Sequence, residues 1–422
     1  MTEELKARIA QINAGTAPKG YKKTKVGIVP EEWETKALGQ VLTRVSNAVD
    51  VEPETMYTQI GIRSHGNGLF YKEPVSGEEL GNKSVFWIEP DCFILNIVFA
   101  WEQAIGKTTE QEVGMIASHR FPMYKPNDLD IDYLVFYLLT KRGTVLLDLA
   151  SPGGAGRNRT LGQEHFLKSK VPLPPLPEQQ KIAEILTAQD AVIALMQKQI
   201  ELLQKQKKAF LQKMFPQKGC NVPEIRFAGF TDAWEQRELG SLIEEKRDRT
   251  TTENEDTLLS CAIEGMFLNS ELFSHFRGST NIGYLKVKKY DLILSAQNLH
   301  LGNCNVNLRF ENGIISPAYK TYELISCNPF FIQAWVKQDS TKDFFLRATT
   351  EGASACRKNV VWEELYKQTL NVPNIDEQAK IGEYFDNLDT LITLHQRKLE
   401  IEQQKKKALM QLLLTGKVRV KT

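Results

Sequence analysis

The chain has 422 residues, of which 42% are hydrophobic and 25% charged, and its formal net charge is +1. This is the composition of an ordinary globular protein of two or three domains. No apolar run approaches the ~20 residues that a membrane span needs, and the charged N-terminus is unlike a signal peptide, so we expect a cytoplasmic protein.

The charges are spread unevenly along the chain. Lys and Arg number 20 against 21 Asp and Glu in residues 1–172, and 17 against 20 in residues 219–371. The intervening residues 173–218 and the last residues 372–422 are basic instead, with 7 against 4 and 9 against 7. If the two slightly acidic segments bind nucleic acid, they must do so through a local basic face, and the chain alone should bind weakly.

The first segment, residues 1–172, mixes short β-rich runs at 84–88 and 92–98 with turns and a predicted helix at 132–140. One of its loops carries three side chains whose hydrogen-bonding groups fit base edges: Arg63, His65 and Asn67. Any one of them can equally be an ordinary solvated loop residue. We predict that this loop contacts DNA bases.

A glycine-rich stretch, residues 151–159 (SPGGAGRNR), lies near the end of the first segment. Its small residues would let the backbone approach a phosphate, with Arg157, Asn158 and Arg159 alongside. It lacks the Gly-Lys-Ser/Thr ending of a nucleotide-binding phosphate loop. We predict a DNA phosphate contact here, and a tight structural turn is the alternative.

Residues 178–215 are predicted to form a long helix. Prolines at 172, 174, 175 and 177 make a stiff approach, and Pro177 stands where a helix can begin. Glu178 near the start and lysines near the end agree with the helix dipole. Thirty-eight residues would span about 57 Å.

The second segment, residues 219–371, has a β-rich run at 284–294 and a predicted helix at 329–337. The sequence 328–331 (NPFF) is similar to an adenine-methyltransferase motif but lacks its second proline, so we predict that Asn328 caps the helix that Pro329 starts. Residues 350–358 (TEGASACRK) occupy the position in this segment that the glycine-rich stretch occupies in the first segment. The predicted DNA-contacting residues of this segment are His275, Arg277, Asn298, His300, Asn303, Arg357 and Lys358.

The last helix shows that the chain is an internal duplication. Residues 377–414 align without a gap onto residues 178–215, with 15 of 38 positions identical, whereas composition alone would give roughly two or three. Upstream, Trp33-Glu34 returns as Trp234-Glu235. The helices match strongly and the globular segments weakly, so the two segments share a scaffold and differ in surface.

A heptad seam runs along both helices, although His395 and Glu402 interrupt it. Two such helices in one chain would most simply pair as an antiparallel coiled coil with pseudo-twofold symmetry; each helix packing on its own segment, or pairing between chains, is the alternative. The predicted interface residues are Ile182, Leu186, Ile193, Ile200, Leu203, Ile381, Phe385, Ile392, Leu399 and Leu409.

A second apolar stripe makes both helices apolar on more than one side, which predicts a further neighbour. Partner subunits and the flanks of the globular segments are both candidates for that neighbour. The stripe comprises Val192, Leu195, Leu202 and Ala209, and in the second helix Leu391, Leu394, Ile401 and Ala408.

The sequence carries no motif that indicates catalysis. The six cysteines are scattered, without a CxxC pair or nearby histidines, so we expect reduced thiols and no metal site. A nuclease carboxylate-lysine cluster and a hydrolase triad are both missing. We therefore expect that the chain is not an enzyme and needs no cofactor.

The order of variable segment, LPPLPEQQKIAEIL helix, second variable segment and equivalent helix resembles the DNA-specificity subunit of type I restriction-modification enzymes. Residues 20–39 (GYKKTKVGIVPEEWETKALG) and 222–240 (VPEIRFAGFTDAWEQRELG) support the resemblance. It implies an α/β (α+β) fold with two target-recognition domains, 1–172 and 219–371, and two long antiparallel helices within 173–218 and 372–422.

The resemblance also implies a function. Each target-recognition domain would read one half of an asymmetric bipartite DNA target, and the helices would set the spacing and dock two methyltransferase subunits. Those partners would carry S-adenosylmethionine, while separate restriction and translocase subunits would use ATP and Mg²⁺. A self-contained DNA-modifying enzyme and a coiled-coil scaffold without DNA binding are the alternatives.

Overall fold

The computed structural model describes residues 2–153, 159–274, 280–354 and 357–421. The chain forms two compact units, Met1–Leu195 with Leu399–Thr422 (unit 1) and Met196–Lys398 (unit 2). Both boundaries fall inside a long helix, so each unit contains part of each helix. The part of unit 1 that precedes residue 176 is called head 1. The part of unit 2 from residue 214 to residue 374 is called head 2.

Head 1 is built from short helices and strands. Its helices are α1 (Glu3–Asn13), α2 (Gly77–Leu80), α3 (Ile131–Leu138), α4 (Lys141–Leu149) and α5 (Gln163–Lys168). Its strands are β1 (Tyr21–Thr24), β2 (Gly27–Pro30), β3 (Glu34–Ala37), β4 (Leu42–Val45), β5 (Met56–Tyr57), β6 (Ile60–Ile62), β7 (Leu69–Tyr71), β8 (Val75–Ser76), β9 (Val85–Trp87), β10 (Phe93–Leu95), β11 (Ile105–Lys107), β12 (Ile116–Ser118), β13 (Met123–Pro126) and β14 (Lys170–Leu173).

A four-stranded antiparallel sheet in the order β11-β10-β13-β4 forms the centre of head 1. Successive side chains of β10 point to opposite faces of the sheet. Phe93 and Leu95 enter the main core with Trp33, while Ile94 enters a second core with Ile60. The strand is buried on both faces, which explains its continuous apolar sequence.

The long helices are α6 (Leu176–Lys213) and α11 (Ile375–Leu413). The other helices of unit 2 are α7 (Asn269–Leu272), α8 (Pro329–Val336), α9 (Asp339–Leu346) and α10 (Trp362–Lys367). Its strands are β15 (Glu235–Glu238), β16 (Ile243–Lys246), β17 (Leu259–Ala262), β18 (Gly265–Leu268), β19 (Leu285–Lys288), β20 (Leu292–Ser295), β21 (Cys304–Val306), β22 (Asn312–Ile315), β23 (Tyr319–Leu324), β24 (Thr349–Ser354), β25 (Arg357–Val360) and β26 (Thr369–Val372).

Head 2 repeats the central sheet of head 1. Its four strands have the order β16-β23-β20-β21, and β16, β23, β20 and β21 correspond to β4, β13, β10 and β11. The buried strand divides between two cores in the same way, with Leu292 and Leu294 on one side and Ile293 on the other. The expected shared scaffold of the two heads is confirmed.

Within each unit the two long helices pack antiparallel, as predicted. In unit 1 the Lys406 ammonium of α11 lies 2.5 Å from a carboxylate oxygen of Asp190 in α6. In unit 2 the Lys207 ammonium of α6 lies 2.5 Å from a carboxylate oxygen of Asp389 in α11. These are the same two repeat positions with the helices exchanged, so the pseudo-twofold repeat extends to the cross-helix ion pairs.

The polar position Glu402, which interrupts the predicted seam, is also used between the helices. Its carboxylate accepts a hydrogen bond of 2.6 Å from the side-chain amide of Gln189. A polar pair within an antiparallel seam favours one register over others, because any slip would leave the pair unsatisfied.

Each head packs on both long helices. The core of head 1 includes Ile182 and Leu186 from α6 and Leu413 from α11. The core of head 2 includes Ile381 and Phe385 from α11, with Leu211 from α6 beside them. Some residues of the predicted helix seam therefore pack on a head. The two arrangements that were predicted as alternatives, contact between the helices and contact of a helix with a head, occur together.

The repeated glutamine at the start of each long helix ties that helix to a head. Gln179 accepts a hydrogen bond from the amide of Asp130 at 3.0 Å and donates to the carbonyl oxygen of Pro174 at 2.9 Å. Gln378 makes the equivalent pair of bonds, with the amide of Asn328 and with a carbonyl oxygen, both at 2.9 Å. Asp130 and Asn328 cap α3 and α8. The predicted capping role of Asn328 is confirmed.

The glutamate before each glutamine is buried and paired with an arginine. Glu178 accepts from Arg419 Nε at 2.7 Å and Nη2 at 2.8 Å, and from Trp33 Nε1 at 3.1 Å. Glu377 accepts from Arg226 Nε and Nη2, both at 2.7 Å. A buried carboxylate needs such a partner to remain charged. The Glu-Gln identity between the repeats is therefore structural, beyond any effect on the helix dipole.

Across the described ranges of the chain, no helix combines the length and the apolar character that crossing a membrane requires. The long helices α6 and α11 exceed the necessary length, but charged residues recur throughout both.

Candidate nucleic-acid interface

Head 1 holds the loop of residues 63–68 in a defined conformation. His65 has a φ of +61°, in the left-handed region that residues other than glycine seldom adopt. Its amide donates to the carbonyl oxygen of Glu102 at 2.7 Å, and the Ser64 hydroxyl donates to the Glu102 carboxylate at 2.9 Å. The loop is thus anchored on the 3-10 turn Ala100–Glu102.

The two other predicted side chains of this loop are exposed and held by the loop itself. Arg63 Nη1 donates to the carbonyl oxygen of Leu69 at 2.5 Å, and its guanidinium lies 5.1 Å from the centre of the Phe70 ring. Asn67 Nδ2 donates to the carbonyl oxygen of Ser64 at 2.9 Å. These contacts restrict the side chains before any ligand binds, which lowers the entropy lost on binding.

Arg159 joins the same 3-10 turn from the glycine-rich stretch. Its guanidinium lies 5.3 Å from the centre of the Trp101 ring, within the range of a cation-π contact. It also lies 2.7 Å from an Asp148 carboxylate oxygen and donates to the carbonyl oxygen of Ser151 at 3.1 Å. Arg159 is therefore largely engaged within head 1, and its predicted phosphate contact stays a prediction.

Head 2 places Asn298, His300 and Asn303 around the 3-10 turn Leu299–Leu301. The amide of Lys358 donates to the carbonyl oxygen of Gln297 at 3.1 Å, which brings β25 beside this turn. Four of the residues predicted in head 2, Asn298, His300, Asn303 and Lys358, are therefore brought together.

Within the described part of head 2, His300 Nδ1 and Asn303 Oδ1 are buried atoms that lack a hydrogen-bond partner. Burial, together with the nearby Lys358 ammonium, lowers the pKa of His300. The imidazole is therefore neutral near pH 7 and can offer both a donor and an acceptor. Buried polar atoms without partners carry a free-energy cost that a ligand can relieve.

The two heads place different side chains at equivalent positions of the repeat. The turn position is Trp101 in head 1 and His300 in head 2, and the adjoining basic position is Arg159 in head 1 and Lys358 in head 2. We did not single out Trp101 from the sequence. Its position, one repeat length before the predicted residue His300, could have identified it.

Five of the residues predicted to contact DNA lie wholly or partly outside the residues that the structure describes. Arg157, Asn158, His275 and Arg277 lie outside the described residues, and only the backbone of Arg357 is described. The roles predicted for these five residues stay predictions.

The described residues hold no group of three or more His, Cys, Asp or Glu side chains placed to bind a metal ion. Burial raises the pKa of Cys261 to about 11 and that of Cys304 to about 12, so both thiols are protonated at neutral pH and are poor nucleophiles. Both are free and lie in apolar surroundings, where they act as packing residues.

Comparison with known proteins relates these features to a family. Residues 30–205 match the sequence model of the type I restriction modification DNA specificity domain. The chain is 25% identical over 419 residues to the specificity subunit of type I restriction enzyme MjaVIII from Methanocaldococcus jannaschii, covering 93% of this chain and 94% of that protein. A second M. jannaschii protein, assigned as the MjaX specificity subunit, is 25% identical over 432 residues, covering 95% and 97%.

The fold is also similar to a solved structure. The type I restriction-modification S subunit from M. genitalium superposes with a TM-score of 0.54 at 11% identity, covering 92% of this chain and 96% of that one. The sequence and fold similarities each extend over more than nine tenths of this chain, and therefore include both heads and both long helices. In sequence over nearly its whole length, the chain is similar to the DNA-specificity subunits of type I restriction-modification enzymes.

Proposed function

We propose that this chain is the DNA sequence-recognition subunit of a type I restriction-modification complex, and that each head reads one half of a bipartite target. The observation that carries the proposal is the pair of equivalent 3-10 turns, each joined by a basic residue from the adjoining stretch. A rigid loop with an aromatic or imidazole group and a neighbouring cation can contact both a base edge and a phosphate.

The two half-sites should differ in sequence. The Trp101 indole N–H already donates to the carbonyl oxygen of Val98 at 3.1 Å, so this residue offers a large apolar face, whereas neutral His300 offers a donor and an acceptor. Groups of such different chemistry do not select the same base. The target should therefore be asymmetric.

The antiparallel helices act as the ruler between the half-sites in this proposal. At ~1.5 Å per residue, the 38 residues of α6 have a length of about 57 Å, which exceeds one turn of B-DNA at roughly 34 to 36 Å. The Lys-Asp pairs repeated in both units support a single preferred register of α6 against α11. A ruler needs such a register because a slip would change the distance that it sets.

The second apolar stripe supplies surface for partner subunits. In unit 1 the side chains of Leu195 and Ile401 are 59% and 61% exposed, and in unit 2 that of Leu202 is 65% exposed. Ala209 and Ala408 are exposed as well, so the heads leave these residues uncovered. Large exposed apolar side chains at helical spacing are typical of a protein interface. Two methyltransferase subunits are the proposed partners, and restriction and translocase subunits join them.

The chain itself carries out no chemistry in this proposal. S-adenosylmethionine would be bound by the methyltransferase subunits, and ATP with Mg²⁺ by the restriction subunits. The complex would act on double-stranded DNA in the cytoplasm.

A segment exchange tests the proposal. Residues 1–172 are replaced by the equivalent segment of a relative with a different target, and the methylated motif is read by methylation sequencing of a strain that expresses the partner subunits. One half of the motif should change and the other should remain. A change in both halves, or in neither, would contradict the assignment of one half-site to one head.

A further inference from the structure

The surface of unit 1 contains a group of cations that the proposed base-reading loops do not use. They line an open cleft of about 630 Å³ between the β1-β2 hairpin, the end of α1 and the start of α4. Lys23, Lys25 and Arg142 lie on its walls and are all exposed.

The cleft is held by specific contacts. Arg142 Nη1 donates to the carbonyl oxygen of Val26 at 2.8 Å, which places the guanidinium against the hairpin turn. The approach is so close that a Cβ added to Gly27 would lie 2.6 Å from Arg142 Nη2. The position of this cation therefore depends on Gly27, whose φ of +110° also disfavours a side chain.

The C-terminal segment adds a fourth cation. Lys417 Nζ donates to Asn13 Oδ1 at 2.7 Å, and Tyr21 in the hairpin donates to the carbonyl oxygen of Gly416 at 2.9 Å. Burial and the nearby Arg142 guanidinium both lower the pKa of Lys417. Two cations therefore lie close enough to destabilise each other.

Among the described residues, none of these four cations forms an ion pair with a carboxylate. By contrast, Lys36 and Lys168 in the same unit are paired with Glu34 and Glu164. Because the head segments are slightly acidic by composition, uncompensated cations gathered in one cleft form a local basic face.

We infer that this cleft, lined by Lys23, Lys25 and Arg142 and with Lys417 nearby, binds a phosphodiester group of the DNA backbone outside the base-reading loops. The inference rests on the proposed function and adds a contact that does not depend on sequence. Such contacts position a protein on DNA and carry most of the salt dependence of binding. Lys23 and Lys25 would supply ammonium groups to the phosphate, and Arg142 would supply a guanidinium held in place by its bond to Val26.

The experiment compares Lys23→Gln/Lys25→Gln with the matched control Lys36→Gln/Lys168→Gln, which removes the same charge from the same unit. Each chain is assembled with its methyltransferase subunits, and binding to cognate DNA is measured over a range of salt concentrations. The slope of log Kobs against log[salt] should become shallower by up to about 2 in the first variant, because each phosphate contact contributes about 0.9. The slope of the control and the methylated motif of both variants should not change.

The remaining outcomes separate the alternatives. An unchanged slope in the Lys23/Lys25 variant overturns the inference. Loss of a methyltransferase subunit from that variant, seen by mass photometry, would assign the cleft to a protein partner and also overturn it. Thermal stabilisation of the wild-type chain by inorganic phosphate with no change in the DNA slope would identify a free-anion site instead. Failure of the wild-type complex to prefer cognate DNA would refute the proposed function itself.

Discussion

The two heads share their framework and differ at their tips, which are the 3-10 turns Ala100–Glu102 and Leu299–Leu301 with the basic residue beside each. Both have the same four-stranded sheet with a strand buried between two cores, and both are tied to a long helix by a Glu-Gln pair. Trp101 with Arg159 in head 1 is replaced by His300 with Lys358 in head 2. Residues that hold the heads on the helices are retained between the repeats, whereas the residues at the 3-10 turns, which we propose to contact DNA, are exchanged.

The buried glutamates show a second kind of difference. Glu178 and Glu377 occupy the same repeat position, yet their arginines come from unmatched segments. Arg226 follows α6 by thirteen residues, whereas Arg419 follows α11 by six. The requirement for a cation beside a buried carboxylate is conserved here, while the sequence position of that cation is not. Unit 1 consequently depends on the C-terminal end of the chain.

The largest expected effect concerns these arginines. Arg226→Ala should destabilise unit 2 by about 3 to 5 kcal/mol, because Glu377 would remain buried without its partner. Arg419→Ala should destabilise unit 1 by less, about 2 to 4 kcal/mol, since its side chain is 32% exposed against 12% for Arg226. Hydrogen exchange read by mass spectrometry would follow the peptides of each unit separately.

Lys421→Ala, at an exposed position near Arg419, serves as a control and should change neither unit. Adding Glu377→Gln to Arg226→Ala should recover part of the lost protection. Equal losses in both units, or a greater loss in unit 1, would show that exposure of the arginine does not set the difference.

Exchanging the tip residues should alter one half-site at a time. Trp101→His should change base preference in the half read by head 1, and His300→Trp should change it in the half read by head 2. Cognate affinity should fall about 5- to 150-fold, the equivalent of about 1 to 3 kcal/mol per base contact. Methylation sequencing and equilibrium binding would measure both. Val113→Ala, an exposed position, is the control. An altered preference in the opposite half-site would contradict the separation of the heads.

The cross-helix ion pairs should have small and equal effects. Lys207→Ala and Lys406→Ala should each destabilise their own unit by no more than about 1 kcal/mol, because the carboxylates of Asp389 and Asp190 are 46% and 41% exposed. Double-mutant cycles with the aspartates would isolate each coupling. A difference above about 1 kcal/mol between the two cycles would show that the repeat does not preserve the energy of this pair.

The smallest expected effect is a pH dependence confined to head 2. The lowered pKa of His300 means that the folded state prefers the neutral imidazole, whereas the unfolded chain titrates near 6.5. This contribution to stability is complete above about pH 6.5 and is lost as the pH falls through that value toward the folded-state pKa. Trp101 does not titrate.

Hydrogen exchange, corrected for the intrinsic rate, should therefore become faster around the turn Leu299–Leu301 between about pH 7.5 and 5.5. In His300→Gln this acid sensitivity should be absent. The same sensitivity at the turn Ala100–Glu102 would assign the effect to some other group.

Much of the architecture could be read from periodicity and repetition. The long helices, the shared scaffold, the antiparallel pairing and the cap at Asn328 are local or pairwise patterns, and the structure bears them out. The loop residues were recognisable by type, but their pairing was not. His300 and Lys358 are 58 positions apart, and no local pattern indicates that β25 lies beside the turn.

The duplicated sequence was sufficient to separate a conserved framework from divergent heads, because apolar spacing and identity follow directly from the order of residues. Other contacts could be identified only from the tertiary structure. They are the arginine partner of each buried glutamate, the contacts of Arg159 with Trp101 and Asp148, and the proximity of Lys23, Arg142 and Lys417. Charge and hydrogen-bond partners are selected by distance and burial, which arise only when segments far apart in sequence pack together.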